Sequence, residues 1–147
     1  MMSGKQQPER TFESSAVAES YFYEAFAGLD AALMGEVWLD SDAAYCIHPG
    51  GQPLVGVERV LASWRGMFRD ARPLALFYKV IRKQVNGDMA VHLVEERLSS
   101  EDGSRRGLVM ASNCYLRTDA GWRLFSHHGS PMVPPDAPTQ EASARVH

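Results

Sequence analysis

From Leu74 onward the chain is a succession of four apolar-rich segments, 74–85, 89–98, 107–117 and 122–128. Three short motifs separate them: Asn86-Gly87-Asp88, Glu101-Asp102-Gly103-Ser104 and Thr118-Asp119-Ala120-Gly121. Each motif has the Asn, Asp and Gly content that lets a backbone reverse, so each reads as a hairpin turn. Strands joined by hairpins lie antiparallel and side by side. The second half of the chain is therefore expected to be one continuous antiparallel sheet.

The first half has a different period. Val17, Tyr21, Phe22, Ala25 and Phe26 recur three and four residues apart, which predicts a helix within Phe12 to Leu39. Gly28 interrupts it, and Asp30 is a suitable N-cap for a second helix through Ala31 to Leu39. Ala43 to His48 reads as a short strand, broken by Pro49-Gly50-Gly51. Gly56 to Asp70 reads as a third helix ending before Pro73. On it Trp64 and Phe68 share a face, one turn apart.

Helices followed by hairpin-linked strands indicate the α+β class. The expected architecture is a cone: a curved antiparallel sheet wrapped around three N-terminal helices, enclosing a pocket. The other sheet face, apolar at Leu74 to Tyr78 and at Leu108 to Ala111, needs cover, so a homodimer through the sheet is expected. Residues 1–11 read as a flexible leader, 12–131 as the domain, and 132–147, with its Pro, Ala, Ser and Thr, as a flexible tail.

With 147 residues, one domain with a real core is expected. A formal net charge of -3, with no basic cluster beyond Arg105-Arg106, argues against a nucleic-acid partner. No apolar run approaches the ~20 residues of a membrane span. The polar start, Met1 to Arg10, carries no hydrophobic signal core, which makes the cytoplasm the expected location. Cys46 and Cys114 form neither a disulfide framework nor a metal-type spacing. A metal would need His48, one of His127 and His128, and a carboxylate such as Glu95 or Glu96, which fits no metal motif. No dinucleotide or phosphate-loop glycine pattern occurs, so no cofactor is expected.

Several residues resemble the nuclear transport factor 2-like superfamily, in particular its SnoaL-like and ketosteroid-isomerase-like branches. They are the helical pair ending in Val37-Trp38-Leu39, the strand Ala44 to Pro49, and Gly56-Val57-Glu58-Arg59-Val60. Asn113-Cys114-Tyr115-Leu116-Arg117, Gly121-Trp122-Arg123-Leu124 and His127-His128-Gly129-Ser130-Pro131 complete the set. The resemblance covers Phe12 to about Pro131 and implies the cone fold. In the ketosteroid-isomerase branch it implies a catalytic carboxylate before a Pro, a protonated acid on a later strand and a helix-1 tyrosine. The matching positions here are His48 before Pro49, Asn113, and Tyr21 or Tyr23, so both carboxylates are replaced.

His48 is the expected base, because a neutral imidazole accepts a proton near pH 7. The alternative is a structural histidine at a strand end. Asn113 is either a donor to a developing oxyanion or a stabiliser of neighbouring strands. Tyr21 is the expected helix-1 donor, with Tyr23 as the other candidate. Trp38, Trp64, Phe68 and Tyr115 are expected to line the pocket. So is one of His127 and His128, which face opposite ways on a strand, with His127 preferred. Glu95, Glu96, Arg97 and Arg82 are expected to be solvated or paired across strands. The expected function is a small-molecule pocket protein with a small apolar ligand. It is either a cofactor-free isomerase, cyclase or dehydratase acting by proton transfer on a carbonyl compound, or a non-catalytic ligand-binding or interaction domain.

Overall fold

The computed structural model describes residues 10–133. The expected leader and tail fall mostly on 1–9 and 134–147, outside the described residues. Three helices, α1 (Ser15–Gly28), α2 (Ala31–Val37) and α3 (Val57–Asp70), pack on one face of a six-stranded sheet. The strands are β1 (Tyr45–Ile47), β2 (Leu54–Val55), β3 (Leu74–Asn86), β4 (Met89–Ser100), β5 (Arg106–Thr118) and β6 (Gly121–Pro131). No helix among the described residues is long and apolar enough to cross a membrane.

Local chemistry sets the helix limits. Ser14 caps α1 by accepting the Val17 amide at 3.0 Å. At its other end Leu29 takes the left-handed conformation (φ 54°) and Asp30 N–H reaches back to Ala25 O at 2.9 Å. This is a Schellman ending on a non-glycine residue. Asp30 then caps α2 through the Leu33 amide at 3.0 Å. In α3, Val57, Val60, Trp64 and Phe68 form the buried stripe, while Met67 is exposed.

The sheet order is β2-β1-β6-β5-β4-β3, and the three expected hairpins join β3 to β6 in register. The sheet is not wholly antiparallel. β1 lies parallel to β6, with Tyr45 opposite Ser126 and Ile47 opposite His128. A hairpin cannot make a parallel pair, and none links these distant strands. Two register shifts, at Val80/Arg82 and Cys114/Tyr115, interrupt the pleat. The second inserts an extra residue in β6, so that Leu124 and His127, three apart, both turn inward opposite Tyr115 and Asn113.

After β1 the chain turns tightly. His48 O accepts the Gly51 amide at 2.7 Å, Pro49 follows His48, and Gly50 has φ 76°. Pro then a positive-φ Gly is the chemistry of a type II turn. Farther on, Gly121 (φ 99°) opens β6 directly against the chain entering α1. A Cβ there would lie 2.7 Å from Phe12 O, while Trp122 N–H donates to the same oxygen at 2.9 Å.

Two glycine substitutions should therefore act in opposite directions. Gly121→Ala should lower stability by roughly 1–3 kcal/mol, since it combines a left-handed strain with a backbone clash. Gly28→Ala, with nothing within 4 Å, should raise it by about 0.4–1 kcal/mol. Denaturant midpoints at unchanged slope are the measurement.

Candidate functional site

The inner face of the sheet carries polar side chains in an otherwise apolar core. Helix α1 contributes Ser15, Glu19 and Tyr23, spaced four apart and so aligned along one stripe. β4 contributes His92 and Glu96, β5 Asn113 and Tyr115, and β6 His127. All eight are buried, Glu19 and Glu96 to 2% exposure.

Their hydrogen bonds form one connected set. Glu19 Oε2 accepts from Tyr115 O–H at 2.7 Å and from Asn113 Nδ2 at 3.1 Å. Asn113 Nδ2 also donates to the Tyr23 hydroxyl at 2.9 Å, and Tyr23 O–H donates to Glu96 Oε2 at 2.7 Å. With both amide hydrogens of Asn113 directed at oxygens, its Oδ1 can only accept. His127 Nδ1, 2.5 Å away, must then carry the hydrogen, which leaves Nε2 as the ring's acceptor.

Burial shapes the protonation of this set. It pushes the Glu96 carboxyl up to about 7; the Tyr23 hydrogen bond opposes the rise and the Glu19 charge adds to it. Burial, then the charges of His48 and His128, hold His127 down to about 3, so its imidazole is neutral. Tyr23 and Tyr115 are held well above the ordinary phenol value, first by burial and then by the nearby carboxylates.

His48 occupies a separate place. It is half-buried at the end of β1, with Nε2 3.0 Å from Ser63 Oγ and its ring edge-on to Trp64 at 4.9 Å. Burial lowers its pKa, so it too is neutral at pH 7. No hydrogen bond among the described residues joins His48 to Asn113. The Trp64 ring touches both neighbourhoods, at 4.9 Å from His48 and 6.0 Å from His127. Cys46 Sγ lies 3.8 Å from His48 Nε2, but burial pushes its thiol up to about 12 and keeps it protonated.

Of the residues expected from the sequence, Asn113, Tyr115 and His127 come together inside, and His128 is exposed. Tyr21 does not join them. It packs on Phe12 at 5.2 Å with Arg10 over its ring, and Tyr23 holds the inward place. Trp64 and Phe68 pack beside the set, their rings tilted and 5.7 Å apart. Trp38 instead lines a separate cleft of about 460 Å³ with Leu39, Leu61 and Arg123. A second cleft, about 610 Å³, lies between the α3–β3 connection and the β4–β5 turn and holds no expected site residue. Glu96, expected to be solvated or paired across strands, is interior and bonded to Tyr23 of α1. Glu19 and His92 had no place in the sequence reading, although the spacing of Ser15, Glu19 and Tyr23 was a signal for a polar helix face. Among the described residues no group of His, Cys, Asp and Glu could hold a metal.

The opposed shifts of Glu96 and His127 predict a domed stability profile. Glu96 has a folded pKa of about 7 against 4.5 for the free group, so the folded state holds its proton more tightly. Its contribution is complete below 4.5 and is lost as pH rises through about 7. His127 has about 3 against 6.5, so its contribution is complete above 6.5 and is lost as pH falls toward 3. The two offset each other between 4.5 and 6.5, where stability should peak. Glu96→Gln should remove the fall above 6.5 and replace the plateau between 4.5 and 6.5 by a continued rise, because the His127 contribution is then unopposed; melting temperature against pH measures both.

Residues 17–134 match the SnoaL-like domain. Among solved structures, the chain is 34% identical to a candidate calcium/calmodulin-dependent protein kinase type II association domain from Thiobacillus denitrificans. That match has a TM-score of 0.80 and covers 86% of this chain and 100% of that one. It is 31% identical to a candidate dehydratase of the NTF2-like family from Streptomyces avermitilis, with a TM-score of 0.74 over 81% of this chain and 94% of that one. Among curated proteins it is 27% identical over 106 residues to the F-box protein SKIP8 of Arabidopsis thaliana, spanning 71% of this chain and 44% of that protein. A ketosteroid isomerase-like protein from Erwinia carotovora atroseptica, 15% identical, shares the fold at a TM-score of 0.67, covering 81% of this chain and 94% of that one. The helices, the curved sheet, the matched residues and these likenesses agree, and the chain belongs to the SnoaL-like domain family.

Proposed function

We propose that this protein binds a small apolar carbonyl compound and moves a proton on it without a cofactor, as an isomerase, cyclase or dehydratase. The observation that carries this reading is the Glu96 carboxyl. It is buried, held by Tyr23 at 2.7 Å, and poised at about 7. A group with that pKa is present in both its forms at neutral pH, the condition under which a general acid or base works best. Tyr23 O–H and the Asn113 amide are held by Glu96, Glu19 and Tyr23 itself, so an enolate oxygen would take a donor here by displacing one of these contacts. Neutral His127 fixes the Asn113 amide through Oδ1. In this reading Glu96 is the base, and His48, whose Nε2 lies 3.0 Å from Ser63 Oγ, stands apart from it. Tyr78, which stacks on Tyr23 at 4.2 Å and is 39% exposed, links the Tyr23–Glu96 pair to the surface.

The test is deuterium exchange at the α-carbon of cyclohexanone, followed by proton NMR. The protein should accelerate exchange over buffer. Glu96→Gln should remove that acceleration by roughly 10²–10⁴-fold, and His48→Gln should leave most of it. A loss confined to His48→Gln restores His48 as the base, and no acceleration at all sinks the enzyme reading.

A second reading concerns the outer face of the sheet, and it supports assembly. Phe77 is 69% exposed there, opposite Arg97, and Met89 and Val91 are exposed on the same face toward the other end of β4, opposite Asn86 and Gln84. A monomer rarely leaves such a patch open. We propose a homodimer through this face, in the cytoplasm, where two unpaired thiols stay reduced. Sedimentation at micromolar concentration should give a dimer, and Phe77→Lys a monomer. A monomeric wild type would remove this reading.

A further inference from the structure

We propose that Ser15 is a nucleophile for acyl transfer from short acyl esters, with His92 as its base and Glu19 as the carboxylate that orients the base. Ser15 Oγ is 2.9 Å from His92 Nε2. On the other side of the ring, His92 Nδ1 is 2.9 Å from Glu19 Oε1. Hydroxyl, imidazole and carboxylate thus stand in the order and at the separations that activate a serine, and such constellations are recognised by geometry rather than chain order. The Nδ1 contact is close without the alignment of a linear hydrogen bond. Hydrogen bonds of this kind commonly tighten only when substrate is bound.

Ser15 does not serve as the helix cap. A serine at a helix start usually caps it, but Ser14 already holds the Val17 amide. Ser15 is instead turned inward, 4% exposed, and its one described side-chain hydrogen bond is the one to His92. It is also the first residue of a 14-residue helix, where backbone amides lack intrahelical acceptors and the dipole is positive. That is where an oxyanion formed at Ser15 would find donors. Lys83, exposed and directly opposite His92 in register, adds a cation on the same sheet face.

The step balances with these groups alone. Ser15 Oγ bonds to the carbonyl carbon while its proton passes to His92 Nε2. The carbon–oxygen bond to the leaving alcohol then breaks, and His92 returns the proton to that oxygen. Water, deprotonated by the same Nε2, cleaves the acyl-serine to the acid and restores the hydroxyl. Nothing is oxidised or reduced. The Glu96 chemistry is separate: the two share only Glu19, which uses Oε1 here and Oε2 toward Asn113 and Tyr115.

The test uses the full chain and two small reagents, diisopropyl fluorophosphate and 4-nitrophenyl acetate, with intact mass and peptide mapping. Attack on the first forms an Oγ–P bond and expels fluoride; attack on the second leaves an acetyl group and releases 4-nitrophenol. One adduct at Ser15 is expected, absent in Ser15→Ala, and formed roughly 10²–10⁴-fold more slowly in His92→Gln. Ser15→Cys keeps His92 and Glu19 in place and guards against a variant that does not fold. Iodoacetamide should alkylate Cys at that position at least about tenfold faster in the folded chain than in urea, because a base beside a thiol raises its thiolate fraction. No Ser15 adduct from either reagent on the folded chain overturns the proposal. So does an equal rate in His92→Gln, or alkylation in the folded chain no faster than in urea.

Discussion

A carboxylate in the middle of a protein core is the constraint around which this structure is arranged. Glu19 is buried to 2% exposure, and an unpaired buried charge costs several kcal/mol. Side chains on two strands meet it instead: His92 from β4, and Asn113 and Tyr115 from β5. Those contacts set the height and rotation of α1 over the sheet more narrowly than its apolar stripe could. They also bind the register of β4 against β5, since His92 and Asn113 are directly opposed. A slip of β4 by one residue would turn His92 outward and take it away from Glu19.

The sheet was largely legible in the sequence because its information is local. Asn86-Gly87-Asp88 and its two counterparts mark the turns, and the strand limits follow from them within a few residues. The helix junction was legible for the same reason, through Gly28 and Asp30. The parallel β1–β6 pair and two-residue β2 were not, because their partners are chosen by tertiary packing and leave no mark in nearby residues.

The candidate site was legible only in part. Asn113, Tyr115 and His127 were found through resemblance and alternation. Tyr21 lies on the apolar helical period, which favours it from sequence, whereas Tyr23 lies on the four-residue step from Ser15 and Glu19 that faces inward. Glu96 is expected to be solvated or paired across strands but is interior; Val91 to Glu96 is apolar or charged on both faces, so the sequence carries no phase. The bulge in β6 is likewise silent in the sequence, although it decides that His127 faces Asn113. Behind these residues, Trp64 separates the interior imidazole from that of His48. Two histidines that look equivalent in the sequence therefore have different partners and different degrees of exposure.

The pairing of β1 with β6 has a consequence for the order in which the chain can be completed. β1 is three residues long, and beyond the two-residue β2 its hydrogen-bonding partner is the last strand of the sheet. During synthesis the helices and β1 emerge first, but β1 has no long neighbour until residues near Ser126 have left the ribosome. The first half of the domain must wait, with its apolar faces open, for the last strand to arrive. Closure of this long loop makes the transition to the native state non-local and slow relative to the hairpins. A growing chain stalled before β6 is thus a natural client for chaperones that shield exposed apolar segments.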